Sequence, residues 1–262
     1  MTTETTTEKL LELLGGGKAP NPVEFKSLVR AVDSHNVLAK VFLLEGTPFV
    51  FEASPMKYVI FREQVANRFA VGSQDICIVG SAKLGFSPSP VKFGKLFKEE
   101  SDVDVVVISE ELFHHGSYEL FRSLNSVDPS VRAARTARAE RGGNPVVQVD
   151  ARDWVRMKEA LRNYTFNNFN PSLLPGDNSL RQDIFDKITS TAGLFLALEP
   201  QVFVSKIRCR IFRSWKAAEN YYANSLRQLK IALVEGGTAT DHEDIDAVEM
   251  VEQDTAIPAA IA

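Results

Sequence analysis

Asp75-Ile-Cys-Ile-Val-Gly-Ser-Ala-Lys-Leu-Gly-Phe86, followed further on by Ser101-Asp-Val-Asp-Val-Val-Val-Ile108, is the pair of stretches on which the reading of this chain turns. Ile76 to Val79 is a short apolar run closed by a glycine, the pattern of a buried strand that stops at Gly80-Ser81. In the second stretch Asp102 and Asp104 alternate with Val103 and Val105. Successive strand side chains point to opposite faces, so both carboxylates share one face, about 6.6 Å apart along the chain. Two carboxylates so placed need water, a base or a cation beside them, and Mg²⁺ is the hard cation that carboxylates and phosphate oxygens share. Gly80 permits close backbone approach to a phosphate, Ser81 offers a hydroxyl and an N–H, and Lys83 adds a positive charge just beyond. Neither piece is specific alone, since Asp-x-Asp also marks solvated strand edges and Gly-Ser occurs in many turns. Their order carries the signal.

Strand, Gly-Ser, short helix, loop and a strand bearing Asp-x-Asp resembles the polymerase-β-type nucleotidyltransferase superfamily over residues 75 to 108. The resemblance implies an α/β (α+β) fold, with a small mixed sheet flanked by helices and a mainly helical portion after it. It implies that Gly80, Ser81 and Lys83 hold the phosphates of a nucleoside triphosphate. Asp102 and Asp104 would hold two Mg²⁺ ions, or Mn²⁺, with a third carboxylate from a later strand. Gly-Ser-Ala-Lys-Leu-Gly-Phe-Ser at 80 to 87, with Ile211-Phe-Arg-Ser-Trp215 and Tyr221-Tyr222, is similar to a bacterial branch often associated with anti-phage defence. That narrower likeness implies an oligonucleotide or cyclic nucleotide product acting on an effector protein. Twenty residues separate Ser81 from Asp102, longer than the superfamily's usual spacing, so an inserted loop is expected.

Within the superfamily's order, the third carboxylate falls at Asp150. Val146 to Val149 reads as a strand ending there, 46 residues after Asp104, and Asp150 would ligate one metal and take the acceptor hydroxyl's proton. Asp153 is the reserve, and a helix cap before Trp154 is the plain alternative for either.

The composition of the 262 residues, 44% hydrophobic and 24% charged, suffices for a real core in one or two domains. No apolar run approaches the roughly 20 residues of a membrane helix and the N-terminal segment lacks a signal pattern, so a cytoplasmic protein without membrane insertion is expected. Cys77 and Cys209 are solitary in apolar or strand-like runs and read as small buried hydrophobes. His114 and His115 lack ligand companions and read as helix surface. Residues 235 to 262 hold eight acidic residues and no Lys or Arg, so the formal charge of −4 becomes +4 over the rest. That body tolerates triphosphates or a single nucleic-acid strand without the signature of a dedicated nucleic-acid binder.

The chain divides into a flexible arm at 1 to 21, a catalytic core at 22 to 150, a mainly helical closing portion at 151 to 235, and a disordered acidic tail at 236 to 262. The spacing of Phe25, Leu28, Val29 and Val32 predicts a helix over about 22 to 34. Val37 to Leu44 and Phe49 to Phe51, joined by Glu45-Gly-Thr-Pro48, read as a strand pair. A helix is expected from about 55 to 70, where Val59, Arg62, Ala66 and Phe69 leave polar residues on one side. In the inserted loop, Lys92, Lys95 and Lys98 interleave with Phe93, Leu96 and Phe97, suiting either phosphate and base contact or a solvated lid anchored by its rings. Leu112, Phe113, Leu120, Phe121 and Leu124 give the apolar face of a helix from about 110 to 125. Arg132, Arg135, Arg138 and Arg141 make one helical stripe, either a phosphate track or an exposed basic face. Further helices are expected near 152 to 164 and 179 to 192, then a strand from Val202 to Phe212 carrying Lys206, Arg208 and Arg210, and a helix from Ser214 to Leu233. Tyr221 and Tyr222 on that helix either pack or stack on a base. A tail hydroxyl at Thr238, Thr240 or Thr255 is a further conceivable acceptor. A toxin-like transferase acting on tRNA or protein, and a catalytically silent nucleotide-binding module, remain open alternatives, as does oligomerisation.

Overall fold

The computed structural model describes residues 19–127, 151–174, 178–200 and 206–235. Among them, the elements in chain order are helix α1 (Pro22–Ala31), helix α2 (His35–Leu38) running into a π-helix (Ala39–Leu44), α3 (Pro55–Phe69), β1 (Ile76–Val79), α4 (Ser81–Leu84), β2 (Asp102–Ile108), α5 (Glu110–Val127), α6 (Ala151–Thr165), β3 (Asn168–Phe169), α7 (Ser179–Leu198), β4 (Lys206–Phe212) and α8 (Trp215–Glu235). The four strands form one mixed sheet in the order β1-β2-β4-β3. β1 runs antiparallel to β2, β4 parallel to β2, and β3 antiparallel to β4. The molecule is thus mixed α/β, a small mixed sheet between helices.

Strand alternation gives the sheet two unlike faces. On one, Ile76, Ile78, Val103, Val105, Val107, Ile207, Cys209, Ile211 and Phe169 join the main core with residues of α3, α5, α6 and α7. Phe195 of α7 closes it, meeting Phe51 at 5.3 Å and Phe61 at 5.9 Å between ring centroids, both edge-on. On the other face Cys77, Val79, Val106, Ile108 and Phe212 lie against Ala217 and Ala218 of α8. A third cluster joins α1, α2 and the π-helix to Ala223, Leu226 and Leu229 further along α8.

Local chemistry explains most boundaries. Asn21 and Glu24 form a reciprocal capping box at the start of α1, with Pro22 at its first turn. α3 ends at Ala70 in the left-handed conformation (φ 55°). Asn178 caps α7 and donates to the buried Glu119 carboxylate at 2.7 Å.

Two expectations need correction. Val37 to Leu44 and Phe49 to Phe51 are not a strand pair: the first segment is helical and then π-helical, and the second is a single 3₁₀ turn after Pro48. The segment is apolar because Leu38, Ala39, Phe42 and Leu43 pack into the cluster with α1 and α8. α3 is a helix as expected, but its buried side is Tyr58, Phe61, Val65, Ala66 and Phe69, while Val59 is 54% exposed. The sheet draws on both the 22–150 and the 151–235 portions, since β4 lies between β2 and β3. The expected strand at Val146 to Val149, the arginine stripe at 132 to 141, residues 1 to 18 of the N-terminal arm, and the acidic tail lie outside the described residues.

Candidate functional site

β1 and β2 place the two halves of the sequence signal side by side. Val79 is paired with Asp104 in the antiparallel register, so the chain leaves β1 at Gly80 directly beside the aspartate strand. Gly80 has φ 69° and ψ −144°, a region that only glycine occupies without strain. A Cβ at this position would sit 2.9 Å from Asp104 Oδ2. The glycine therefore does two things: it turns the chain into α4 and it leaves room for a carboxylate. Ser81 opens α4, and the Gly80 carbonyl accepts from the N–H groups of Lys83 and Leu84.

Asp102 and Asp104 share a sheet face with Cys77, Val79, Val106 and Ile108, as alternation requires. The apolar end of that face is covered by α8, with Phe212 edge-on to Tyr221 at 5.5 Å. Asp102 and Asp104 occupy its other end and are half-buried.

The neighbouring strand β4 completes this face in a way the sequence reading did not assign. Its register sets Lys206 against Asp102, Arg208 against Asp104 and Arg210 against Val106, so the three cations line the face on which the aspartates stand. Arg208 Nη2 lies 2.8 Å from Asp102 Oδ2. Arg210 donates to the Tyr221 hydroxyl, its guanidinium 4.7 Å from that ring's centroid. Tyr222 is held neutral far above the usual tyrosine range, chiefly by burial. Both tyrosines of α8 thus pack against the sheet. The signal for Arg208 was present as alternating cations in Lys206-Ile-Arg-Cys-Arg210, but which strand they would face depends on pairing across a hundred residues.

Lys83 is placed differently from the expectation that it holds phosphates. It is buried, and its ammonium donates to the carbonyl of Glu45 and, at 2.9 Å, to that of Gly46. Its charge is spent on tying α4 to the segment after the π-helix. Burial lowers its pKa from 10.5 to about 8. The unfolded chain keeps the proton up to 10.5, so between about pH 8 and 10.5 it binds more protons than the native state, and stability at this site rises with pH across that window. Wild type should therefore gain on Lys83→Met by up to about 3 kcal/mol across that window in denaturant titrations. A difference independent of pH would contradict this account of Lys83.

The donor chemistry at Asp102 and Asp104 suits a hard divalent cation, with two carboxylates on one strand face and a glycine cradle beside one of them. Among the described residues no three His, Cys, Asp or Glu side chains converge as a metal site. Asp150, the expected third ligand, lies outside the described residues, as does the side chain of Asp153. The cysteines are buried and burial pushes both thiols up to about 12, as inert core groups. His114 and His115 are exposed on α5. In the inserted loop Phe93 rests on Phe86 and Phe97 on Phe49, with centroids 6.1 and 6.4 Å apart, and Lys92, Lys95 and Lys98 are exposed, so the rings anchor a hairpin that displays its cations. A cavity of about 320 Å³ beside β1, lined by Lys40, Tyr58, Arg62, Trp215 and Glu219 among others, includes none of Gly80, Ser81, Asp102 or Asp104. Among the described residues no helix is long and apolar enough to cross a membrane. No family of known proteins, no curated protein and no solved structure matches this chain.

Proposed function

We propose that this chain is a metal-dependent nucleotidyltransferase of the polymerase-β type. An acceptor hydroxyl oxygen attacks the α-phosphorus of a nucleoside triphosphate, the bond from that phosphorus to the α,β-bridging oxygen breaks, and pyrophosphate leaves. The observation that carries the reading is the close approach of Gly80 to Asp104, which sets the Gly-Ser turn against the carboxylate pair where a triphosphate would need both. Asp102 and Asp104, with Asp150, would hold Mg²⁺ or Mn²⁺, which when bound polarises the phosphate and offsets the charge of the departing pyrophosphate. Gly80 and the Ser81 hydroxyl orient the phosphates, and Asp150 accepts the acceptor's proton. The likeness in sequence to a defence-associated branch supports an oligonucleotide or cyclic nucleotide product, with an effector protein as its target. Lys83 supports the site by tying α4 to the carbonyls of Glu45 and Gly46.

One observation favours a second reading. Arg208 already neutralises Asp102, and the cations of β4 stand on the strand next to the aspartates. A nucleotide-binding module that does not turn over would keep this arrangement. Incubation with each labelled ribo- and deoxyribonucleoside triphosphate and Mg²⁺ or Mn²⁺, resolved on a denaturing gel beside Asp102→Ala/Asp104→Ala, separates the two. The transferase gives a metal-dependent ladder or cyclic product that the variant lacks. A single addition to added tRNA or protein identifies the modifying form of the enzyme, and no product with any triphosphate or acceptor leaves the binding module.

A further inference from the structure

We propose that the cavity at the start of β1 is a binding site for a free α-amino acid, whose carboxylate is received by Arg62 and Tyr58 and whose ammonium is received by Glu219 and Glu45. The inference does not rest on the transferase reading, because the cavity includes none of Gly80, Ser81, Asp102 or Asp104. It reaches Ile76 and Cys77, whereas Val79, the partner of Asp104, lies about 10 Å along the strand from Ile76. Three walls enclose it: α3 with Tyr58 and Arg62, the π-helix with Lys40 and the following Glu45, and the first turns of α8 with Trp215 and Glu219. At about 320 Å³ it stands at the lower end of the volumes that hold small ligands.

The lining has unspent hydrogen-bonding capacity of both signs. Arg62 is half-buried, donates through Nε to the Ser73 carbonyl at 2.7 Å and lies over the Tyr58 ring at 5.6 Å, which fixes its guanidinium. Its two Nη groups have no partner among the described residues. The Tyr58 hydroxyl accepts from the Ile78 N–H at 3.4 Å, so its own proton is left to donate. Burial holds that hydroxyl neutral, far above the usual tyrosine range. A planar fork and a neutral hydroxyl one helical turn apart make a receptor for a carboxylate. On the other walls, Glu219 meets Lys40 only at 3.9 Å and Lys216 at 3.3 Å, and the Glu45 carboxylate has no partner among the described residues, so both can accept from an ammonium. Trp215 supplies the apolar part: its Nε1 donates to Asp75 Oδ1 at 3.2 Å and its ring packs, half-buried, against the cluster under α8. An indole so held offers a fixed surface to a ligand's side chain. Charge decides the class of ligand. Lys40 and Arg62 balance Glu45 and Glu219, so a zwitterion is matched at both ends, whereas a triphosphate would meet two carboxylates and a bare cation two basic groups.

The test titrates the full chain with each proteinogenic L-amino acid by calorimetry. At least one should bind with one-to-one stoichiometry and a Kd of about 1 mM or tighter, and binding by none of them overturns the proposal. For the amino acid that binds, its N-acetyl derivative removes the ammonium and its amide removes the carboxylate, and each should bind the wild-type chain at least roughly tenfold more weakly. Either derivative binding as tightly as the parent overturns the zwitterion assignment, and this arm stands even where a variant fails to fold. Glu219→Gln and Arg62→Gln should reproduce the two losses from the protein's side, and unchanged affinity in both folded variants overturns the placement in the cavity. Asp102→Ala/Asp104→Ala should bind the amino acid as wild type does. Loss of binding there would put the ligand in the carboxylate site and overturn the proposal as well. Triphosphate turnover enters none of these readouts, so the proposal and the transferase reading fail separately.

Discussion

Replacing Asp102 and Asp104 by alanine should lower nucleotide transfer by about 10³-fold or more, beyond the roughly 10²–10³ that a single preorganised donor contributes to a transition state. Both carboxylates are half-buried on one face at the start of β2 and outside the apolar clusters, so their loss removes the hard donors without opening the core. The fold should tolerate the change. Asp102 is a half-exposed partner of Arg208, and pairs of that kind contribute about 1 kcal/mol or less. Unfolding midpoints should therefore stay close to wild type while turnover disappears. A double variant that retains a tenth of wild-type transfer would show that the reaction takes place elsewhere.

Gly80→Ala should be nearly as damaging, for a reason that acts on stability and activity together. The backbone at φ 69° and ψ −144° is essentially closed to residues with a Cβ, at a cost of about 1–3 kcal/mol. The added methyl would also lie 2.9 Å from Asp104 Oδ2, so either the carboxylate or the turn must move. Misplacing a catalytic group by about 1 Å can cost roughly 10²-fold in rate. The expected result is a lower denaturation midpoint combined with a roughly 10²-fold loss of turnover at saturating triphosphate. If the stability falls while turnover is unchanged, the glycine serves the turn alone and the contact with Asp104 has no functional weight.

What the sequence made legible depended on how local each signal was. β1 and β2 were readable because an apolar run ending in glycine and an Asp-Val alternation are complete within a few residues. α5, α7 and α8 were readable from periodicity, although the helices run to Val127, Leu198 and Glu235, a few residues beyond the spans expected. The segment from Val37 to Leu44 was misread because pattern alone does not separate helix from strand in so short an apolar run. Nothing local announces that β4 will insert beside β2, a separation of about a hundred residues, and Arg208 was therefore invisible as a site residue. The contacts of Lys83 were out of reach for the same reason, because the carbonyls of Glu45 and Gly46 lie 38 and 37 residues before it in the chain.

The class of product depends on the chemistry of the acceptor, whereas release of pyrophosphate accompanies transfer to any acceptor. The most direct measurement is release of pyrophosphate from a mixture of the four ribo- and four deoxyribonucleoside triphosphates, with Mg²⁺ or Mn²⁺ and with cell RNA and protein supplied as acceptors. The account predicts metal-dependent pyrophosphate release by the wild-type chain that is lost in Asp102→Ala/Asp104→Ala. Release that persists in the variant, or no release by a folded wild-type chain under any of these conditions, would contradict it.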